Sequence, residues 1–418
     1  MPHSVSETQE TPYSWFRMLV GMVICSIGGV GMWSVVVALP AVQAEFGSAR
    51  SGASLPYTLV MLGIAAGGVL MGRMADKKGI VPPMLFGAVS LCAGYVLSGF
   101  ATSLWQFAIL HGVLIGALGS SVTFGPLIAD VSLWFTKRRG IAVALCASGN
   151  YIAGAIWPRV VQHGIDTVGW RTTHIGIGIF CLVTLVPLAL LLRRRAPALT
   201  MAQANESRTA GAGRLNMSPR TLQVLLGIAG VSCCVAMSMP QVHLVAYCGD
   251  LGYGAARGAE MLSIMLGLGI ISRVSAGFVA DKIGGVATVL IGAIMQGLSL
   301  TLFLFFDSLS SLYVISAMFG LFQGGIVPTY AIIVREYFPA GEAGTRVGLV
   351  FMATLIGMAL GGWVSGAIFD LSGSYALAFL NGVLWNLVNV AIIGTLLLRG
   401  GGPLAVFRAR TIAATAWA

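Results

Sequence analysis

Gly72-Arg-Met-Ala-Asp76-Lys-Lys-Gly79 and Gly277-Phe-Val-Ala-Asp281-Lys-Ile-Gly284 share one pattern, G-x-x-x-D-K-x-G, about two hundred residues apart. Each copy closes the second of six apolar runs in its half of the chain. Apolar runs fall near residues 16–40, 53–74, 81–100, 105–134, 140–165 and 171–193, then 220–249, 257–280, 285–306, 311–336, 344–369 and 375–398. A second pair lies two runs further on, where Trp134-Phe-Thr-Lys-Arg-Arg-Gly140 corresponds to Tyr337-Phe-Pro-Ala-Gly-Glu-Ala-Gly344. Agreement in content and in register makes the chain an internal repeat of two six-helix halves.

Composition says what solvent surrounds those runs. Of the 418 residues, 57% are hydrophobic and 9% charged, where a soluble domain carries about 25% charged residues. Each run reaches the roughly 20 residues that a helix needs to cross a bilayer. The expected fold is therefore an all-α membrane protein with twelve transmembrane helices in two pseudo-symmetric bundles. The predicted divisions are 1–193 for the first bundle, 194–219 for a linker rich in Ala, Ser, Gly and Arg, and 220–418 for the second bundle with a short tail. The first run is longer than a signal-peptide core and is read as helix 1.

The net charge of +10 does not point to nucleic acid, because the basic residues sit in short clusters between apolar runs. Arg73, Lys77, Lys78, Lys137 to Arg139, Arg193 to Arg195, Lys282, Arg335 and Arg399 fall on alternate loops or helix ends. That asymmetry places those loops, and both termini, in the cytoplasm. The seven cysteines lie in apolar runs without C-x-x-C spacing, so neither a disulfide framework nor a metal site is expected. There is no P-loop, no H-E-x-x-H and no G-x-S-x-G, which argues against an enzyme and against nucleotide-driven transport. No cofactor is expected.

The first motif has a physical reading. A loop of a few residues between two helices needs glycine where the chain turns and where backbones approach. Asp76 and Asp281, at helix ends, are placed to accept from a neighbouring helix N-terminus or to pair with a cation, forming a conformational latch with Gly72, Gly79, Gly277 and Gly284.

These paired loops, on two six-helix halves joined by a linker, resemble the major facilitator superfamily over essentially the whole chain. Within it, the stretch from Trp134 to Gly154, the segment Pro240 to Gly252 and the glycine-rich run Gly344 to Gly366 resemble the monocarboxylate porters and the related oxalate:formate antiporters. The resemblance implies alternating-access transport of a small organic anion, commonly a monocarboxylate moved with a proton. It also implies that Arg273, which matches the helix 8 arginine of monocarboxylate porters, binds substrate. Two departures matter. Mammalian-type porters carry an aspartate one turn before that arginine, where this chain has Gly269, and the helix 11 lysine of the oxalate:formate group has no counterpart between Gly348 and Gly366.

The residues themselves point the same way. Arg273 lies eight residues before Asp281, about 12 Å along a helix at about 1.5 Å per residue. An arginine at that depth costs about 2.5–3.5 kcal/mol on insertion scales, and its planar fork of donors fits a carboxylate bidentately. A structural arginine bonded to helix carbonyls is the competing reading. Asn150 and Tyr151, midway along helix 5, are candidate partners for a carboxylate or hydroxyl. His243, beside Pro240 and one turn before Tyr247, is the candidate proton carrier, against the commoner role of a packing histidine. Gln323 and Tyr330 share a face of helix 10 by their spacing.

The expected function is a proton-coupled monocarboxylate transporter of a bacterial cytoplasmic membrane, acting as a monomer on a small organic anion. An oxalate:formate-type exchanger and a proton-coupled drug exporter are the alternatives. The absence of a mid-membrane acid argues against the exporter, and a single central cation favours a monoanion over a dicarboxylate.

Overall fold

The computed structural model describes residues 11–135, 138–194, 217–338 and 340–400. Most of the predicted linker and tail lies outside them, as does Lys137 of the second repeat pair. Eleven helices are long and apolar enough to cross a membrane, and the longest, Ile141–Leu191, is two spans joined at Gly169. Gly169 takes φ 79° and ψ 158°, a conformation open to glycine and strained for other residues. The described residues therefore hold twelve spans: α1 Pro12–Phe46, α2 Arg50–Lys78, α3 Val81–Gly99, α4 Leu104–Ser132, α5 139–168, α6 170–191, α7 Pro219–Asp250, α8 Ala255–Ile283, α9 Gly285–Phe305, α10 Leu309–Tyr337, α11 Ala340–Ser372 and α12 Ala376–Arg399.

The internal repeat recurs in the helix ends. α1 and α7 start on hydroxyl caps, Thr11 accepting from the Ser14 amide and Ser218 from the Thr221 amide. α4 and α10 do the same with Ser103 and Ser308. The turns that close the two G-x-x-x-D-K-x-G motifs are nearly superimposable: Gly79 has φ +82° and Gly284 φ +87°, and their amides donate back to the carbonyls of Ala75 and Ala280 at 2.8 and 2.9 Å. The loop between α2 and α3 thus has the same geometry as the loop between α8 and α9. In each unit we call the end that carries this loop the motif end and the opposite end the far end.

The fourth span of each half is also broken. α4 is α-helical over Leu104–Leu110, π-helical over His111–Ser120 and resumes at Gly125 after a turn. α10 stops at Gln323 and resumes at Ile326. Breaks inside membrane helices are tolerated where the freed backbone groups face protein or a cavity rather than lipid.

Packing separates the chain into two compact units. Unit one is Met1–Leu199, Pro240–Gly267 and Gly362–Tyr375, and unit two is Thr200–Met239, Leu268–Gly361 and Ala376–Ala418. The chain halves and the packing units differ because the far-end parts of α7, α8 and α11 pack within unit one. Unit one is centred on Leu91, Ile115, Leu127, Trp134 and Cys146, and unit two on Leu226, Val289, Tyr330 and Val350. In unit one α2 meets α4 backbone to backbone, since a Cβ on Gly63 or Gly67 would run into the carbonyl oxygens of Gly112 and Ala117. In unit two Gly361 of α11 meets Ser238 and the Val235 carbonyl of α7 in the same way.

Candidate substrate site

Arg273 is 9% exposed, on α8, and its Nε faces the Gly324 carbonyl at 3.5 Å, the long limit of a hydrogen bond. That carbonyl belongs to the break in α10. The preceding residue, Ser272, accepts the Gly325 amide on its hydroxyl at 3.0 Å, so α8 satisfies a backbone group that the break releases. One turn earlier the two backbones touch: a Cβ on Gly324 would overlap the Gly269 carbonyl oxygen and come within 2.7 Å of the Gly269 Cα. The position where the resemblance expects an acid is therefore a backbone contact. The second segment of α10 begins at Ile326, and a helix N-terminus carries partial positive charge. Arg273 and this half-helix start sit together, an arrangement suited to an anion.

Gln323 ends the first segment of α10 and is fully buried next to that break. Gln323 and Tyr330, seven residues apart, lie on either side of the interruption at Gly324 and Gly325. Tyr330 lies in the core of unit two and donates to the Asn389 side-chain oxygen on α12 at 2.7 Å.

The other predicted residues belong to unit one. Asn150 lies where α5 crosses α1: its backbone carbonyl accepts from Trp33 Nε1 at 3.3 Å, and a Cβ on Gly29 would approach its side-chain oxygen to 3.2 Å and Ala153 to 2.6 Å. Tyr151 beside it is buried. His243 and Tyr247 lie instead at the far end, in a cluster that sequence reading did not assemble.

At the hub of that cluster is Arg50, the first residue of α2. Its guanidinium bonds both oxygens of Asp250 at the end of α7, at 2.9 and 2.8 Å, and stacks over Phe369 and Tyr375. The amides of Arg50 and Ser51 donate to the two oxygens of Asp370, near the end of α11, at 2.7 and 2.8 Å. That carboxylate caps the N-terminus of α2. Next to it His243 contacts the Gly362 carbonyl through Nε2 at 2.8 Å and the Tyr375 hydroxyl through Nδ1 at 3.1 Å. A carbonyl only accepts, so Nε2 carries the hydrogen and Nδ1 accepts from the phenol. Burial pushes the Tyr375 phenol above its ordinary range, keeping it a donor. Tyr247 packs edge-on against the same ring at 5.4 Å. The partners of Arg50 are two hundred and more residues away, beyond any local signal.

Asp76 is exposed, as is Asp281. The start of α9 is capped by Glu336, whose two oxygens accept the Gly285 amide at 3.1 and 3.2 Å. At the equivalent end of α4, Asp130 holds Arg17 of α1 by two bonds of 2.9 Å. Gly79 and Gly284 make the turns with positive φ, and a Cβ on Gly72 or Gly277 would meet nothing within 4 Å. No group of three or more His, Cys, Asp or Glu suited to a metal ion occurs among the described residues.

Comparison with known proteins agrees with this architecture. The family model of the Major Facilitator Superfamily matches residues 19–287 and 261–411. The chain belongs to the major facilitator superfamily. Monocarboxylate transporter 13 of Rattus norvegicus is 27% identical over 351 residues, covering 83% of this chain and 78% of the relative. The agnestins efflux protein AgnL12 of Paecilomyces divaricatus is 23% identical over 324 residues, covering 78% and 73%. Among solved structures, a bacterial homologue of the human lysosomal transporter Spinster, inward-facing and unoccupied, superposes with a TM-score of 0.66 at 14% identity, covering 96% of this chain and 98% of that one. The transporter shares that fold.

Proposed function

We propose that the transporter carries a small organic monoanion with a proton across a bacterial cytoplasmic membrane by alternating access, with the motif end and both termini in the cytoplasm. The observation that carries this reading is Arg273, an enclosed arginine set beside the break in α10. A buried arginine offers a carboxylate a planar fork of donors, and the start of the second α10 segment beside it adds partial positive charge. Gln323, beside the same break, is the polar group we assign to the remainder of the substrate. Tyr247 and Tyr330 take packing roles. His243 uses both ring nitrogens in the far-end cluster, which favours an anchoring role for it over proton carriage.

Uptake into proteoliposomes of labelled monocarboxylates, each beside its uncharged amide, tests the sign of the cargo. The acids are expected to enter saturably and the amides not to compete; amides competing as well as acids would remove Arg273 from recognition. A second reading, proton-coupled efflux of larger metabolites, is supported by the similarity to a fungal efflux protein. It predicts competition by bulky lipophilic compounds instead.

A further inference from the structure

Unit one encloses a second polar cluster toward the far end, made of residues to which sequence reading gave no role. His111 opens the π-helical stretch of α4, His174 lies on the first turns of α6, Tyr95 is on α3 and Ser34 on α1, and all four are fully buried. The imidazole centroids are 5.5 Å apart, and the Tyr95 ring is 6.1 Å from His111 and 5.6 Å from His174. The hydroxyls of Tyr95 and Ser34 are bonded at 2.7 Å.

The backbone fixes both tautomers. Nδ1 of His111 lies 2.9 Å from the Phe107 carbonyl and Nδ1 of His174 lies 2.8 Å from the Trp170 carbonyl, each four residues back. A carbonyl cannot donate, so both Nδ1 atoms carry hydrogen and both Nε2 atoms present a lone pair. Both Nε2 atoms are buried without a hydrogen-bond partner among the described residues. Two neighbouring acceptors with no donor are what one proton satisfies: one ring becomes an imidazolium and donates to the other. A bridge of about 2.9 Å between nitrogens, each a little over an ångström from its ring centre, spans about 5 Å, close to the separation observed.

Among the described residues, the charged groups near the pair are Glu45 and Arg171, which hold each other beyond Trp170. α3 presents the Tyr95 phenol, α4 the Phe107 ring and α2 the apolar Leu59 and Val60, which pack on Gly112 and Gly116. α6 presents Trp170, edge-on to His174 at 5.5 Å, and Cys181 on the Tyr95 side. α1 presents Ser34 and, beyond Trp170, Glu45, which is already held by Arg171 and the Trp170 Nε1.

We propose that His111 and His174 bind one proton between their Nε2 atoms, and that this is the site where the transporter takes on the proton that accompanies its substrate. This rests on the proton-coupled reading above. The proton comes from water on one side and returns to water on the other, and its charge offsets that of the carboxylate at Arg273. Binding draws α4 towards α6 at the start of the π-helical stretch, where α4 is held against α2 by glycine contacts without interlocking side chains.

The test uses His111→Asn and His174→Asn, since asparagine can still donate to the carbonyl four residues back but has no titrating Nε2. Expected in proteoliposomes is a loss of at least tenfold in accumulation driven by an inward proton gradient, with counterflow exchange at equal pH kept within about twofold. Wild-type accumulation indifferent to the gradient overturns proton coupling itself and this site with it. Gradient-driven wild type with unaltered variants overturns the histidine pair alone. Should a variant lose exchange as well, fluorescence of Trp170 in a chain with every other tryptophan replaced decides the matter. Quenching on acidification that His111→Asn abolishes supports the pair, and a signal flat with pH, or unchanged by that variant, overturns it.

Discussion

At the scale of single residues, the informative side chains are charges and glycines placed where lipid or packing favours something else. Arg273 stood out in the sequence because an arginine eight residues inside an apolar run is costly there, whether it holds a substrate or helix carbonyls. Arg17 did not, because it stands near the start of its span and reads as an end residue; it is 2% exposed and clasps Asp130. Removing one member of a buried pair strands the other charge, at about 3–5 kcal/mol. Arg17→Met is therefore expected to lower the thermal stability of the detergent-solubilised transporter markedly, with Arg17→Met/Asp130→Leu recovering much of it. A fluorescence melt in which the single variant matches wild type would show that the pair contributes little.

At the scale of elements, hydropathy marked the twelve spans but not their interruptions. The break in α10 comes from consecutive glycines, Gly324 and Gly325, whose role depends on α8 lying against them. The π-helical stretch of α4 lies in close contact with Gly63 and Gly67 of α2. Because an added side chain at Gly67 collides with backbone rather than with a flexible chain end, Gly67→Leu is expected to abolish stable expression, while Gly68→Leu, where a Cβ meets nothing within 4 Å, is tolerated. Equal expression and equal melting of the two variants would refute the backbone contact. The motif glycines illustrate the converse: the positive φ at Gly79 and Gly284 followed from the loop length, whereas Gly72 and Gly277 match the pattern without a packing reason.

At the scale of the whole molecule, the repeat gave the two-halved architecture from sequence alone, and the superfamily match agrees with it. The far-end network was hidden because its members, Arg50, Asp250 and Asp370, come from three distant helix ends and each reads alone as a solvated charge. We propose that, in the alternating access put forward above, opening the far end separates Arg50 from Asp250 and Asp370. In a chain whose seven cysteines are replaced and Ser54, buried on the first turns of α2, is made cysteine, Asp250→Asn is expected to speed labelling by a membrane-impermeant thiol reagent. A bias of about 1.4 kcal/mol corresponds to tenfold. An unchanged labelling rate would deny the network any part in gating.

The central claim, that a carboxylate is bound by Arg273 and moved with a proton, is tested most directly by uptake of a labelled monocarboxylate panel into proteoliposomes, with and without an inward proton gradient, for wild type and Arg273→Lys. Lysine keeps the charge and loses the planar fork. The account predicts gradient-stimulated uptake of at least one acid by wild type and a fall of about tenfold or more in the variant, an effect of the size expected for losing one charge-assisted hydrogen bond. Uptake undiminished in Arg273→Lys would contradict it.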